Sequence, residues 1–273
     1  MRVLIDGMEV PDGRAAISVF DWGLQRGFGC FEVIRSYDGV PFRTEDHLDR
    51  LQASAAALAM PLPPIAAIEE WVRKVSRAGG DCQIRVMVTA GGRDPLFAAP
   101  PRTIVLWELL PPLPSPVRLL PIESPWHPAT DRSPLSGVKW LSYAPNMASA
   151  DIAKRAGYDG ALLVTPDGVV LEGHTFCVAW LAGGRIETPS LDLGILASIT
   201  RAVLFEVAGR LGLSVDEGAY PLDRMLEADE AVVLSTVEEI LPIGAIGDRR
   251  MPAGDQWSRL AVVYKALAAE ETG

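Results

Sequence analysis

The hydrophobic period of the chain changes several times, and each change marks a change of element. Residues 1–10 alternate about Asp6-Gly7, a pair suited to the left-handed backbone of a tight turn, so the spacing predicts a hairpin at the start. Phe31 to Tyr37 reads as a further strand that turns at Asp38-Gly39 and returns through Val40 to Arg43. From Thr44 the apolar residues Leu48, Leu51, Ala55 and Leu58 recur every three or four positions. That period predicts an amphipathic helix over Glu45 to Ala59, stopped by the prolines at 61, 63 and 64. A second helix is expected over Ile65 to Ala78, ending at Gly79-Gly80, and Cys82 to Thr89 and Thr103 to Leu109 read as strands.

Beyond the proline-rich stretch Pro111 to Pro116, Val117 to Ile122 is strand-like and Asn146 to Ala156 has a helical period. Gly160 to Val164, the turn signal Asp167-Gly168 and Val169 to Leu171 make a hairpin. Later helices are expected over Ser198 to Leu211, with Gly212 at the stop position, and over Gln256 to Glu270. The run Ala231 to Leu234 between them is strand-like. Helices and strands mix in both halves, so the expected class is α+β in two domains. Residues 1–112 form the small N-terminal domain, 113–122 the connection and 123–273 the larger C-terminal domain.

Composition narrows the function classes. A chain of 273 residues that is 49% hydrophobic buries a sizeable core. It has no basic start followed by an apolar run and no window of about 18 unbroken apolar residues, so a cytoplasmic protein without membrane spans is expected. The three cysteines, Cys30, Cys82 and Cys177, lie far apart with neither a disulfide framework nor metal-ligand spacing, and no metal site is expected. A formal net charge of −10 argues against nucleic acid or an anionic membrane as partner, because both demand clustered Lys and Arg.

Chemistry is suggested first by Lys139, which stands in the apolar and aromatic segment Gly137-Val-Lys-Trp-Leu-Ser-Tyr143. Desolvation there disfavours the ammonium and favours the free amine that a Schiff base needs, although a lysine in such a segment also snorkels its charge to water. Glu172, on the second arm of the predicted hairpin, is either an exposed strand residue or a carboxylate that pairs with a protonated pyridine nitrogen. Ser198-Ile-Thr-Arg201 opens a helix and offers N–H groups and a hydroxyl to an anion, or is an ordinary cap. Ser235 and Thr236 end a strand-like run and offer further hydroxyls. Arg50 carries a guanidinium matched to paired phosphate oxygens.

In order along the chain, these segments resemble the class IV aminotransferases, the fold-type IV pyridoxal phosphate (PLP) enzymes. The matching pieces are Asp21-x-Gly23-x-x-x-Gly27-x-Gly29-x-Phe31-Glu32, His47-Leu-x-Arg50-Leu51, Lys139-x-Leu-x-Tyr143, Gly168-x-Val-x-Glu172, Thr188-Pro189, Gly194-Ile-Leu-x-x-Ile-Thr-Arg201, Ala228-Asp-Glu230 and Thr236 to Pro242. The resemblance implies that Lys139 bonds the PLP aldehyde and shuttles the substrate proton. It implies that Tyr143 hydrogen-bonds the phenolate oxygen and that Glu172 pairs with the pyridine nitrogen. Arg50, the backbone at Ile199 and Thr200, and Thr236 would hold the phosphate, and the hydroxyls of Ser198 and Ser235 read above are expected beside them. It further implies a homodimer, with the cofactor between the two domains of each subunit. The chain differs from the family pattern at His174, Phe176 and Cys177, where small hydroxyl residues and an Asn are usual, and at Ser198, where Gly is common.

The family divides mainly into branched-chain L-amino acid transaminases, D-amino acid transaminases, (R)-amine transaminases and aminodeoxychorismate lyases, and the pocket residues decide among them. Phe31 and Val33 are expected against the substrate; Val33 stands where branched-chain enzymes usually carry Gly and is similar to the D-amino acid branch. Arg85 stands where branched-chain enzymes keep an Arg on a pocket strand. Arg93 falls in a loop that binds the substrate carboxylate in D-amino acid enzymes, and Gly91-Gly-Arg93 also resembles the lyases. Arg26 adds a third cation, and a guanidinium matches an α-carboxylate through two parallel N–H groups. The expected reaction moves an amino group from a D-amino acid or (R)-amine to an α-keto acid by a ping-pong route. Its alternatives are the lyase, the branched-chain transaminase and a PLP-binding protein without turnover.

Overall fold

The computed structural model describes residues 2–92, 98–130 and 133–273. The chain divides into two units. The first comprises Met1–Pro111, Val138–Tyr143 and Ala268–Gly273, and the second comprises Pro112–Gly137 and Ala144–Leu267.

The first unit is built on a six-stranded antiparallel sheet. Its strands are β1 (Arg2–Ile5), β2 (Met8–Pro11), β3 (Gly29–Tyr37), β4 (Val40–Pro41), β5 (Cys82–Thr89) and β6 (Thr103–Glu108), in the order β2-β1-β6-β5-β3-β4. A short helix α1 (Trp22–Arg26) precedes β3, and α2 (Thr44–Ala57) and α3 (Ile65–Gly79) follow β4. Leu48 and Leu51 of α2, Ile68, Val72 and Val75 of α3, and Ile34, Ile84 and Val86 of the sheet are all buried, so the apolar stripe that predicted each helix is the stripe it packs with. Helix α2 stops two residues before the predicted end. Ala59 takes a left-handed conformation at φ 49°, and the N–H groups of Ala59 and Met60 donate to the carbonyls of Ala56 and Ala55, which closes the helix before the prolines are reached.

The second unit holds a mixed nine-stranded sheet. Its strands are β7 (Val117–Glu123), β8 (Gly160–Val164), β9 (Val170–Gly173), β10 (Cys177–Ala182), β11 (Arg185–Pro189), β12 (Val215–Gly218), β13 (Glu230–Ser235), β14 (Glu239–Ile246) and β15 (Arg249–Arg250). They run in the order β12-β11-β10-β13-β14-β7-β8-β9, with β15 on β14. The helices are α4 (Ala144–Arg155), α5 (Ile199–Arg210), α6 (Leu222–Leu226) and α7 (Gln256–Thr272), of which the residues from Ala268 on belong to the first unit. Trp180, Leu162, Val170, Val178 and Val233 belong to one buried cluster. Among the described residues no helix is long and apolar enough to cross a membrane.

The α+β class holds, and the two units differ from the expected domains in three places, one of them Ala268–Gly273, which belongs to the first unit. The segment 113–122, expected as a connection, carries most of β7, because Val117 and Leu119 are buried and the strand pairs in parallel with β14 and β8. Residues 138–143 belong to the first unit because the edge of β3 is open at Gly29–Phe31, β4 reaching only Ser36 and Tyr37. Unpaired backbone groups there need partners. Phe31 N–H donates to Lys139 O at 3.0 Å, and Leu141 N–H donates to Gly29 O at 2.8 Å. Gly29 is obligatory at this approach, since a Cβ on it would sit 2.5 Å from Leu141 Cδ1 and closer still to the Val88 carbonyl.

A buried ionic cluster joins α2 to β3. Glu32 has no exposed surface, and Arg50 grips it with both edges of a fork: Nε to Oε1 at 2.7 Å and Nη2 to Oε2 at 2.7 Å. His47, one turn earlier on α2, meets Oε2 through Nδ1 at 2.8 Å. Burial pushes the Glu32 carboxyl up, but the Arg50 charge and the hydrogen bonds of Arg50 and His47 outweigh it and hold the group at about 2. Burial, working against the Glu32 contact, holds the His47 ring below its ordinary value. His47 therefore donates at Nδ1 as a neutral imidazole. In the second unit, the turn between β9 and β10 is closed by Gly173 N–H donating to Phe176 O at 2.6 Å, with the Phe176 ring lying where a Gly173 side chain would be.

Two outcomes follow. Glu32→Gln is expected to cost about 3–5 kcal/mol in urea denaturation, because it leaves the Arg50 cation partly buried without its anion. The folded carboxyl titrates below the ordinary 4.5, so its contribution is complete above that pH and is lost as pH falls toward about 2; the variant should lack that part of the acid limb. Gly173→Ala is expected to cost about 1–3 kcal/mol through its clash with the Phe176 ring. Combining it with Phe176→Ala should cost less than the sum of the single changes, and simple additivity would show that no clash exists.

Candidate active site

Lys139 is buried, with 8% of its surface exposed. Its Nζ stands 4.5 Å from the ring centroid of Phe31 and 5.6 Å from that of Tyr143, and the two rings meet edge to face at 5.1 Å. Its backbone N–H donates to Ser54 Oγ of α2 at 3.2 Å, so the lysine is fastened to β3 by its carbonyl and to α2 by its amide. The structure thus brings together Lys139, Phe31 and Tyr143, an amine with aromatic faces where water would otherwise stand. Arg50 sits on the same helix as Ser54. Its pair with Glu32 takes Nε and Nη2 and fixes the plane of the guanidinium.

In the second unit Glu172 lies on β9 with each oxygen engaged. His127 Nε2 is 3.2 Å from Oε1, and Leu196 N–H donates to Oε2 at 3.2 Å. Cys177, buried at the start of β10, points its thiol at the carbonyl of the same Leu196 at 3.8 Å, so the residue that replaces the usual Asn serves the loop that leads to α5. Ser198 caps α5: its Oγ accepts Arg201 N–H at 3.3 Å, and the N–H groups of Ile199 and Thr200 belong to the first turn, where no intrahelical carbonyl reaches them. The first turn is anchored by Arg201, which is 5% exposed, donates to Pro189 O at 3.1 Å and pairs with Glu217. Ser235 is partly committed elsewhere, since its Oγ accepts from Val237 and Glu238 N–H and closes the β13–β14 turn; Thr236 is half-buried in that turn.

The expected substrate residues separate. Phe31 and Val33 alternate onto one face of β3, and Val33 pairs directly with Arg85 on β5. Arg85 donates through Nε and Nη2 to Glu108 Oε2 at 3.0 and 2.9 Å, so its charge is already met by a half-exposed carboxylate. Arg26 is exposed and lies over the Trp22 ring at 5.3 Å. Arg93 lies outside the described residues.

Three contributors were not singled out from sequence. Glu32 had a legible signal: it alternates with Cys30, Ile34 and Ser36 on the buried face, where a carboxylate demands partners, and His47 and Arg50 are three apart on one helix face. Arg201 as the anchor of α5 and His127 as the partner of Glu172 depend on contacts between distant segments and had none.

These residues fit PLP. A buried amine, a carboxylate held by two N–H donors and a capped helix start with free first-turn N–H groups match in chemical kind the aldehyde, the ring N–H and the phosphate that PLP presents. The family model described as amino-transferase class IV matches residues 29–246. A candidate branched-chain-amino-acid aminotransferase of Methanocaldococcus jannaschii is 33% identical over 260 residues, 91% of this chain and 89% of that one. The aminodeoxychorismate lyase of Bacillus subtilis is 30% identical, covering 96% and 93%, and the D-alanine aminotransferase of Bacillus licheniformis is 28% identical, covering 93% and 91%. A solved fold IV transaminase from Curtobacterium pusillum superposes with a TM-score of 0.84 at 31% identity, over 96% of this chain and 93% of that chain. With a model match over most of its length and relatives of this likeness, the chain belongs to the class IV aminotransferases, the fold-type IV enzymes that work with pyridoxal phosphate.

Proposed function

We propose that the enzyme transfers the amino group of a D-amino acid or a related (R)-amine to an α-keto acid such as pyruvate or 2-oxoglutarate, in two half-reactions with ping-pong kinetics. The observation that carries the choice of donor is Val33. Its side chain stands on the sheet face that bears Phe31, two residues from the ring beneath Lys139 Nζ, and a valine leaves less room than a glycine for a branched substrate side chain on that face. When bound, PLP supplies the electron sink that labilises the substrate Cα–H bond.

The residues do the rest. Lys139 Nζ takes the proton from the substrate carbon and returns it, with Phe31 and Tyr143 keeping water from the amine. The Tyr143 hydroxyl donates to the phenolate oxygen and Glu172 accepts the ring N–H. Arg50, the first N–H groups of α5 at Ile199 and Thr200, the Ser198 cap and Thr236 hold the phosphate. Ser235 keeps the turn that presents Thr236. The substrate carboxylate is met by a guanidinium; Arg85 is the arginine beside Val33, and it has to exchange Glu108 for the ligand, whereas Arg26 and Arg93 are the alternatives. The working assembly is a homodimer.

A second reading is the lyase, favoured by the 30% identity to the Bacillus subtilis enzyme along 96% of this chain.

The test follows the visible absorption of the holoenzyme on separate addition of D-alanine, (R)-1-phenylethylamine and L-leucine. D-Alanine or the (R)-amine should bleach it fastest and pyruvate should restore it, whereas faster bleaching by L-leucine would return the enzyme to the branched-chain group. No bleaching by any donor, with pyruvate and 4-aminobenzoate released from aminodeoxychorismate, would establish the lyase. Lys139→Ala should abolish turnover, and Val33→Gly should shift the kcat/KM ratio toward L-leucine by about 10-fold or more, the scale of a few methyl groups in an apolar pocket.

A further inference from the structure

We propose that His127 is a positioning residue that orients the Glu172 carboxylate toward the pyridine nitrogen of the cofactor. The inference rests on the reading of Glu172 as that nitrogen's partner.

A carboxylate at the end of a glutamate side chain rotates freely unless each oxygen is held. Here one oxygen takes Leu196 N–H and the other faces His127 Nε2, both at 3.2 Å. The direction of the histidine bond is fixed by its other nitrogen. Ala129 N–H donates to Nδ1 at 3.1 Å, so Nδ1 carries no hydrogen, and the proton resides on Nε2, pointing at Glu172. With the Nδ1 lone pair taken up by the Ala129 amide, it is the Nε2–H that faces Glu172, and the two N–H donors together fix the plane of the carboxylate that would meet the proton on the pyridine ring. The electron sink depends on that proton.

The imidazole is itself anchored. Its side chain is 6% exposed, and its backbone N–H donates to Ser124 O at 2.9 Å. Ser124, fully buried, sends both its N–H and its hydroxyl to Val164 O at the end of β8, each at 2.9 Å. The tautomer, the ring position and the turn are thus set before any ligand arrives, as for a partner that orients a group binding a cofactor.

The experiment reconstitutes the enzyme with PLP labelled with nitrogen-15 in the ring and reads the protonation of that nitrogen by its chemical shift, together with the rate of the donor half-reaction. His127→Leu should move the signal toward the unprotonated form and slow the half-reaction about 10- to 100-fold, the usual range for loss of such an orienting partner. His127→Gln places an amide N–H near the position of Nε2 and should restore most of both; His127→Asn, one methylene shorter, should not. Glu172→Gln is the control and should move the signal by itself. An unmoved signal in His127→Leu with a moved one in Glu172→Gln would overturn the role of His127 alone. If neither variant moves it, the reading of Glu172 falls and the inference with it. Should the leucine variant fail to fold, equal signals in the glutamine and asparagine variants overturn the proposal, and a shift in asparagine alone upholds it.

Discussion

The placement of Lys139 depends on two backbone hydrogen bonds at the open edge of β3. Strand β4 covers only the far end of that edge, and the Gly29–Phe31 end is completed by a segment more than a hundred residues later in the chain. Leaving those amide and carbonyl groups unpaired in a buried position would be costly, and the segment satisfies them. Once the pairing is made, the lysine side chain has Phe31 beneath it and Tyr143 beside it. The Lys139 amine is thus placed by backbone geometry, and Gly29 is the condition for it.

Two glutamates show how the same side chain is adapted to different work. Glu32 is wholly buried and saturated by Arg50 and His47, so its charge is spent within the unit. For such a group desolvation is large, and only the bidentate cation and a second donor reverse it, which is why the carboxyl falls to about 2 against its burial. Its product is a guanidinium of fixed plane. Glu172 is held by two N–H donors, Leu196 and a histidine whose other ring nitrogen accepts from Ala129. One carboxylate fixes an arginine, and the other has no arginine or lysine hydrogen-bonded to it among the described residues.

The departures from the family pattern in residues 174–177 are accommodated locally. Phe176 occupies the space over Gly173, and His174 accepts Ala161 N–H at 3.3 Å and stacks edge to face on Phe176. Cys177 reaches the Leu196 carbonyl while the Leu196 amide serves Glu172. The three replacements act together, an aromatic pair filling the turn and a buried thiol joining the next loop, and Glu172 keeps two donors.

Local period and turn chemistry made much of the first unit legible. The hairpin at Asp6-Gly7, helices α2 and α3 and strands β3, β5 and β6 lie within a few residues of where alternation, apolar spacing and punctuating Gly and Pro put them, because those signals act over one or two turns of chain. The setting of Lys139 was legible too, since an apolar and aromatic segment has nowhere to lie but in the interior. Strands β10 and β14 were not, because a short apolar run looks alike whether it enters a strand or a helix, and β11 and β12 were not, because they are short and largely polar. The true limits of the units were hidden as well, since a strand edge and the segment that completes it share no local pattern. The sequence determined most of the elements, the fold class and the family. Tertiary structure alone decided that Arg50 is gripped by Glu32, that Arg85 is answered by Glu108 and that His127 stands behind Glu172, because each contact joins segments far apart in the chain and depends on the register of a sheet.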